Sequence, residues 1–263
     1  MRTFSNGGGV QSTAALVLSA KGIIEYPVHI FANVGGDSEH PDVLRYMHEI
    51  AMPYARKNGI ELLEIYRTMK RGKRAGERET IYGRIYRTRE SVPIPAYRSG
   101  GYPLRHTCSI DFKVRVIIEW LKEHGATKEN PVISGIGYST DEWSRLKKPY
   151  SDIQKLEHPL MQLRLSRSDC IKIIRDAGLP IPRKSACWFC PVTSPQEWIE
   201  MYETNPELFE RACKLEEKIS RKAGEPLYLH RMRVPLMTAV RQYKMDFLEL
   251  EKDTQDCIGY CMT

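Results

Sequence analysis

The sequence lacks the features of membrane and secreted proteins. No apolar run is long enough to span a bilayer. The first residues enter a glycine-rich stretch without the basic region, apolar stretch and cleavage site of a signal peptide. The seven cysteines are an odd number, which argues against a disulfide framework and for thiols that stay reduced, some of them able to bind metal. We therefore expect a cytoplasmic protein without a membrane partner.

Two common phosphate-binding motifs are also missing. Neither GxGxxG nor the Gly-Lys-Ser/Thr of a P-loop follows the predicted first strand at residues 2–5. The chain instead has three adjacent glycines, at residues 7–9, before an apolar predicted helix at residues 11–21. Glycines let backbone N–H groups approach an anion at a helix N-terminus, where the helix dipole favours negative charge. This order predicts a phosphate site, and a tight turn between strand and helix is the structural alternative.

Strand and helix patterns alternate through the first 160 residues. Predicted strands cover residues 2–5, 26–32, 60–66 and 131–136, and predicted helices cover residues 11–21, 40–58 and 111–125. Such alternation predicts an α/β fold with a doubly wound parallel sheet. Later predicted elements are helices, at residues 168–178, 194–203, 206–223 and 234–250, without a convincing strand. We expect a nucleotide-binding α/β core at residues 1–160 and a helical, cysteine-containing C-terminal region at residues 161–263.

Residues 67–107 follow neither period, so we expect a long basic loop there. Within it, residues 67–89 carry nine basic and two acidic side chains. That surplus of seven equals the net charge of the whole chain, +7. Tyr66, Tyr82 and Tyr86 are interleaved with these cations, and this composition suits the neutralisation of phosphates and the stacking of bases. The segment predicts a nucleic acid or a multiply phosphorylated substrate, with a solvated charged surface as the alternative.

Two cysteines form a Cys-x-x-Cys pair, Cys187 and Cys190, just before a predicted helix that begins at Ser194. Two thiolates at this spacing suit zinc or an iron–sulfur cluster, although such a pair can also be redox-active. Cys108 stands at another predicted helix start, where thiolates are favoured, and is the natural third ligand.

The fourth metal ligand stays open on the sequence alone. Cys257 or Cys261 could supply it, or an open iron position could hold exogenous sulfide. The two remaining cysteines, Cys170 and Cys213, fall on apolar faces of predicted helices. We expect both to be core residues.

The glycine stretch SNGGGVQSTAAL resembles the SGGxDS pyrophosphate loop of the PP-loop ATP pyrophosphatase and phosphoadenosine phosphosulfate reductase-like family, within the adenine nucleotide alpha-hydrolase-like superfamily. FANVGGDSEHPDVLRY, RHTCSIDFK and GIGYSTDEWSR resemble the family's FADTG, Arg-x-Cys-Thr-x-x-x-Lys and Gly-Ile-x-x-Asp-Glu-x-x-Arg segments in the same order. CWFCP is similar to its GCxxCP element. The chain departs from the family at Gly7, which replaces Ser, and at Gln11 and Asn33, which each replace Asp.

The resemblance implies an adenine nucleotide alpha-hydrolase-like (HUP-type) fold that binds ATP with Mg²⁺ and contains a 4Fe-4S cluster, with zinc as the alternative. ATP would adenylate an acceptor oxygen, and sulfur would then displace AMP. Implied nucleotide-binding residues are Ser5, Gly7, Gly8, Gly9, Gln11, Ser12, Thr13, Asn33 and Gly135. Implied catalytic residues are Cys108, Lys113, Asp141 and Arg145, and implied metal ligands are Cys108, Cys187, Cys190, Cys257 and Cys261.

The charged residues in these segments also have a physical rationale. Lys113 and Arg145 can offset phosphate charge, Arg145 in a bidentate manner. Asp141 or Glu142 could hold a metal ion or a ribose hydroxyl. Surface ion pairs are the structural alternative, and for the segment after Asn33 the alternative is a turn followed by solvated carboxylates, which include Glu39.

The expected partners are a nucleotide, a sulfur donor and either a nucleic acid (tRNA or DNA) or another multiply phosphorylated substrate. The sequence leaves the oligomeric state open, with a homodimer as one alternative. A thiol-dependent sulfonucleotide reductase is the first alternative, since Cys257 and Cys261 lie near the C-terminus. A non-catalytic nucleic-acid-binding module with structural zinc is the second, because Gln11 and Asn33 remove two carboxylates.

Overall fold

A computed structural model of the chain describes residues 1–100, 102–146 and 148–245. The chain divides into two compact units, Met1–Arg84 with Cys108–Cys187, and Ile85–Thr107 with the residues from Trp188 onward. This division differs from the predicted boundary near residue 160, because residues 161–187 belong to the first unit. Cys257, Cys261 and the end of the predicted helix at residues 234–250 lie outside the described residues.

The secondary structure follows the predicted alternation, with short additions. The strands are β1 Arg2–Ser5, β2 Val28–Asn33, β3 Glu61–Tyr66, β4 Tyr97–Arg98, β5 Val132–Ile136, β6 Gln154–Glu157 and β7 Leu227–Tyr228. The α-helices are α1 Val10–Ala20, α2 Pro41–Tyr46, α3 Met52–Lys57, α4 Ile81–Arg87, α5 Arg115–Glu123, α6 Pro159–Gln162, α7 Arg167–Asp176, α8 Pro195–Thr204 and α9 Pro206–Ala223. Two π-helical turns, Met47–Ala51 and Ile110–Val114, and a 3-10 turn, Thr140–Arg145, complete the list.

The first unit is built on a five-stranded sheet in the order β3-β2-β1-β5-β6, with every neighbouring pair parallel. The predicted α/β class and parallel sheet are therefore confirmed. The sequence analysis missed β6, whose QKLE sequence shows no apolar run because it forms the edge of the sheet.

Helices cover both faces of this sheet. On one face, α1 packs with Phe4 and with Cys170 and Ile174 of α7, so it is covered by the sheet and by a second helix. This explains the apolar character of α1, which the sequence indicated. On the other face, Leu121 of α5 packs against Ile30 of β2, because successive side chains of a strand point to opposite faces.

The second unit contains α8, α9, a helical stretch at residues 236–245 and the two short antiparallel strands β4 and β7. The predicted start of α8 is confirmed, since Ser194 and Glu197 form a reciprocal capping box. Glu216 of α9 is buried and accepts hydrogen bonds from the backbone N–H groups of Leu229 and Leu236, each at 2.7 Å. Burial raises the pKa of Glu216 to about 7.

The segment at residues 67–107 differs from the predicted long loop. It contains α4 and β4, and a β-bridge joins Thr68 to Arg78. Its apolar residues Ile81, Ile85, Ile94 and Ala96 are buried. These apolar residues are too few and too widely spaced to give a helical or strand period, which is why the sequence pattern predicted a loop. No helix in the described residues has both the length and the apolar character that crossing a membrane requires.

Gly135 of β5 lies where a larger side chain would disturb the sheet. A Cβ atom at this position would lie 2.7 Å from Phe4 and 2.8 Å from Tyr26. We therefore expect Gly135→Ala to lower the free energy of unfolding by about 1–3 kcal/mol, measured by denaturant titration. Gly36→Ala is the control, because a Cβ at Gly36 meets no atom within 4 Å. Equal stability of the two variants would contradict the packing role of Gly135.

Candidate functional site

The candidate site lies at the carboxyl edge of the first unit's sheet, between β1 and β5. The chain runs from β1 to β2 and β3 on one side, then returns to β5 on the other. Parallel sheets bind ligands outside the carboxyl ends of strands at such a switch point. The glycine turn (residues 7–9) follows β1, and the β5 loop (residues 137–146) follows β5. The β5 loop lies against the first turn of α1, since a Cβ on Gly137 would lie 3.5 Å from backbone atoms of Gln11 and Ser12.

The glycine turn leads directly into α1. Gly8 has a φ of +75°, a conformation that favours glycine. Its N–H donates to Oδ1 of Asn6 at 2.9 Å, and the N–H of Gly7 donates to Oγ of Ser12 at 2.9 Å. Gly9 is the N-cap residue of α1 and supplies no side-chain acceptor, and the first turn of α1 contains no acidic residue. The first N–H groups of α1 are therefore available to an anion.

A chain of hydrogen bonds connects the glycine turn to the interior through Asn6, His29 and Ser19. Because Oδ1 of Asn6 accepts from Gly8, the Nδ2 of Asn6 is the atom that faces Nδ1 of His29, at 3.5 Å. The Nε2 of His29 then carries the proton and donates to Oγ of Ser19, at 3.1 Å. Burial lowers the pKa of His29 to about 3. The imidazole is therefore neutral and can serve as both donor and acceptor.

Gln11 connects the glycine turn to the β5 loop. Its Nε2 donates to Oε2 of Glu142 at 3.1 Å and to Oγ of Ser139 at 3.4 Å. Its Oε1 accepts from the guanidinium of Arg167 at 3.2 Å. An amide can bridge a carboxylate and a guanidinium in this way, whereas an aspartate would repel Glu142. The sequence analysis missed Arg167, because no motif included it.

The predicted residues of the β5 loop also lie at this edge. Asp141 accepts a hydrogen bond from the backbone N–H of Arg167 at 2.5 Å. Arg145 forms an ion pair with Glu142, and its guanidinium lies over the ring of Tyr138, 4.9 Å from the centroid. The alternative of a surface ion pair thus describes Arg145 in this structure.

Other predicted nucleotide-binding residues have structural contacts. Ser5 pairs with Ile30 and Ile136 within the sheet. Thr13 is buried, and its N–H donates to the carbonyl of Gly9 at 2.9 Å. Gly135 packs within the sheet as described above.

Asn33 shapes the turn after β2. Its Oδ1 accepts from the N–H of Gly35 at 2.7 Å, and its Nδ2 donates to Oε1 of Glu64 at 2.7 Å. Asn33 is buried. An aspartate there could not donate to Glu64, so the amide fits this position.

A second group of predicted residues meets at Glu39. The side chain of Glu39 is fully buried, and its two carboxylate oxygens have no hydrogen-bond donor among the described residues. Nζ of Lys113 lies 3.5 Å from Oε1, an ion pair without hydrogen-bond geometry. The backbone of Glu39 forms a β-bridge with Cys187. The interpretation of Glu39 as a solvated charge is wrong, because its side chain is fully buried next to Lys113 and its backbone is paired with Cys187.

The cysteines do not form a metal site that the structure describes. Cys108, Cys187 and Cys190 are each half-buried. Across residues 1–100, 102–146 and 148–245, no three His, Cys, Asp or Glu side chains form a group that could hold a metal ion. The iron–sulfur cluster, zinc and Mg²⁺ therefore stay predictions.

Of the two cysteines that the sequence assigned to the core, Cys170 is confirmed there and Cys213 is only partly buried. Cys170 is buried on α7, beside Ile174. Cys213 on α9 is half-buried. Burial raises the pKa of each thiol to about 11, which makes both poor metal ligands.

Four of the nine basic side chains at residues 67–89 form the ion pairs described here. Arg67 and Arg84 both pair with Glu79, at 2.7 and 2.6 Å, and Arg84 also pairs with Asp111, at 2.9 Å. Although burial opposes it, these arginines lower the pKa of Glu79 to about 2. The further ion pairs of the segment are Lys70 with Glu119 and Arg74 with Glu77. The net charge of the segment therefore overstates its exposed positive charge.

Comparison of the chain with family models, with curated proteins and with solved structures found no match. The interpretation of the site therefore depends on its own geometry. That geometry combines a glycine turn, an uncapped helix N-terminus and the guanidinium of Arg167 at the switch point of a parallel sheet. These are groups that bind phosphate.

The buried His29 should make stability depend on pH. Its pKa is lowered to about 3 in the folded chain, whereas an unfolded histidine titrates near 6.5. The unfolded state therefore gains the proton first as pH falls, and stability should decline below pH ~6.5 by about 1.4 kcal/mol per pH unit towards pH ~3.

His29→Gln should remove this contribution while it keeps a donor and an acceptor for Asn6 and Ser19. Denaturant titrations between pH 4 and pH 8 would give a flatter curve for the variant. Above pH ~7 the two curves should run parallel, because His29 is then neutral in both states. Equal slopes below pH ~6.5 would contradict the buried neutral imidazole.

Proposed function

We propose that this chain is an enzyme of the PP-loop ATP pyrophosphatase and phosphoadenosine phosphosulfate reductase-like family, with the HUP-type variant of the doubly wound sheet. It would act in the cytoplasm, cleave ATP at the α-phosphate and adenylate an acceptor that is then thiolated. The observation that carries the proposal is the uncapped N-terminus of α1, directly after the glycine turn and at the switch point between β1 and β5.

The nucleotide phosphates would lie at the first turn of α1. Backbone N–H groups of Gly9, Val10 and Gln11 would donate to the phosphate oxygens, and the dipole of α1 would favour their charge. Arg167 would add positive charge, since Gln11 already holds its guanidinium beside the turn. A phosphate would also compete with Glu142 for Arg145, which lies on the same loop.

The adenylation step follows from this arrangement. An acceptor oxygen attacks the α-phosphorus, the bond to the bridging oxygen breaks, and pyrophosphate leaves. The helix amides and arginines would stabilise the charge that develops on the phosphoryl oxygens. Sulfur from a donor would then displace AMP from the acceptor. No step is assigned to a metal or cluster.

A nucleotide-binding module without turnover is the second candidate. The amides at Gln11 and Asn33 favour it, because each is engaged in structural hydrogen bonds and neither can bind Mg²⁺ as a carboxylate would. Sulfonucleotide reduction would instead need a C-terminal thiol, and Cys257 and Cys261 lie outside the described residues.

The role of the α1 amides can be tested at Val10, the first residue of the helix. Proline is tolerated at this position, and Gly9 has an extended conformation that accepts a following proline. Val10→Pro removes one N–H donor, while the control Val10→Ala removes the valine side chain and keeps the donor. A hydrogen bond to a charged group contributes about 1.5–3 kcal/mol.

We therefore expect Val10→Pro to bind ATP about 10-fold more weakly than Val10→Ala, measured by calorimetric titration. Unfolding curves of both variants would show that each is folded. If the two variants bind ATP equally, the phosphates do not lie at the N-terminus of α1.

Turnover distinguishes the two candidate functions. Wild-type protein given ATP, a nucleic-acid acceptor and sulfide should release pyrophosphate and AMP. Arg167→Gln should reduce pyrophosphate release about 10-fold or more, because it removes positive charge from the phosphate site. Arg56→Gln, an exposed change at the end of α3, is the charge-matched control and should keep the wild-type rate. ATP binding without pyrophosphate release under any acceptor would favour the binding module.

A further inference from the structure

One tryptophan differs from the others in its surroundings. Trp188 and Trp198 are buried, and Trp120 stacks on the ring of His124 with centroids 3.8 Å apart. Trp143 is 69% exposed. Within the described part of the chain, no ring, cation or hydrogen-bond acceptor meets its indole. An indole in this state adds nothing to the core, and exposed aromatic side chains are typical of binding surfaces.

Trp143 is held close to the proposed phosphate site. It belongs to the 3-10 turn Thr140–Arg145. The residue before Trp143 in this turn is Glu142, whose carboxylate accepts a hydrogen bond from the side chain of Gln11 at 3.1 Å. Asp141 of the same turn accepts from the N–H of Arg167. The turn is thus tied to both α1 and α7, and it presents the indole at the carboxyl edge of the sheet.

Further exposed apolar side chains follow Trp143 in sequence. Leu146 is 46% exposed and Tyr150 is 54% exposed. The sequence places cations among them, with Arg145 and Lys148 exposed. Aromatic rings interleaved with cations suit a nucleic-acid strand, whose bases stack and whose phosphates are neutralised.

Two of the three tyrosines that the sequence predicted to stack on bases, Tyr66 and Tyr86, already lie beside cations. The guanidinium of Arg78 lies 3.7 Å from the ring centroid of Tyr66, and Nζ of Lys218 lies 5.6 Å from that of Tyr86. These cations occupy ring faces that a base would need. The indole of Trp143 has no such cover.

We propose that Trp143 stacks on an unpaired base of the nucleic-acid acceptor and so brings an acceptor strand to the phosphate site at the glycine turn. This inference rests on the proposed function, and it names the acceptor as single-stranded or looped nucleic acid. The adenine of ATP is a poorer match, because small-ligand sites enclose most of the ligand, whereas this indole faces solvent. Lys148, which is exposed, would contact a phosphate that flanks the stacked base.

The test uses the full chain and a fluorescein-labelled single strand of about 12 nucleotides, within the range of known single-strand sites, as RNA and as DNA. Fluorescence anisotropy measures affinity, and quenching of tryptophan emission reports stacking. Trp143→Leu should weaken binding about 10-fold and lose most of the quenching. Trp143→Phe, which retains a ring, should keep most of the affinity.

Ile23→Ala is the matched control, since Ile23 is a 53% exposed apolar residue that follows α1 at the opposite edge of the sheet. It should bind the strand as wild type does. The proposal is overturned if Trp143→Leu binds like wild type, if Ile23→Ala loses as much affinity, or if a duplex of the same sequence binds as tightly as the single strand.

ATP binding by wild type is measured separately by calorimetry. If the nucleic-acid strand binds in a Trp143-dependent way but ATP does not bind, the stacking site is supported and the proposed enzymatic function is contradicted. If ATP binds and Trp143→Leu keeps the wild-type affinity for the nucleic-acid strand, the stacking site is contradicted while the nucleotide site is supported.

Discussion

Strand β1 pairs in parallel with β2 on one side and with β5 on the other, because the chain passes from β1 to β2 and β3 and later returns to form β5 beside β1. Because both loops that follow β1 and β5 emerge at the same edge, the glycine turn and the β5 loop must face each other there. The contact of Gly137 with the backbone of Gln11 and Ser12 is a direct result. The bonds of Gln11 to Glu142 and Arg167 depend on this adjacency, as does the position of Trp143.

Three neutral amides contribute to the hydrogen bonds that hold this edge together. Asn6, Gln11 and Asn33 each donate and accept at the same time, which a carboxylate cannot do. Asn6 joins the N–H of Gly8 to a neutral His29, and Gln11 joins Arg167 to Glu142. With Gln11 in place of an aspartate, the first turn of α1 contains no acidic side chain. The two departures from the carboxylates of the resembling family therefore have a structural reason, independent of any reaction.

The sequence predicted the parts of this fold that depend on local periodicity. The parallel α/β sheet, the buried α1, the capping box of α8 and the core position of Cys170 all follow from the spacing of apolar or capping residues. The edge strand β6 was missed because only four residues with two charges form it. The bounds of the two units were also beyond a local pattern, because α7 belongs with α1 through side-chain packing over a long sequence separation.

The candidate site divides in the same way. Its glycine turn was predictable because glycine spacing and the following helix are local features. Glu39 was not, since a carboxylate before a helix gives the same pattern whether it is solvated or fully buried beside Lys113. Arg167 was missed because it reaches Gln11 from another helix.

The charge of the chain shows why composition alone is a weak guide to its binding surface. Residues 67–89 hold the entire surplus of positive charge, but Glu79 alone receives two of its arginines, and Arg78 covers Tyr66. Cations that are paired in the folded chain release fewer counterions when a strand binds, so they contribute less to affinity. Recognition of a phosphorylated partner then depends on groups that folding leaves exposed. At the carboxyl edge of the sheet, the groups that we propose for this role are the uncapped amides at the start of α1 and the exposed indole of Trp143 on the β5 loop.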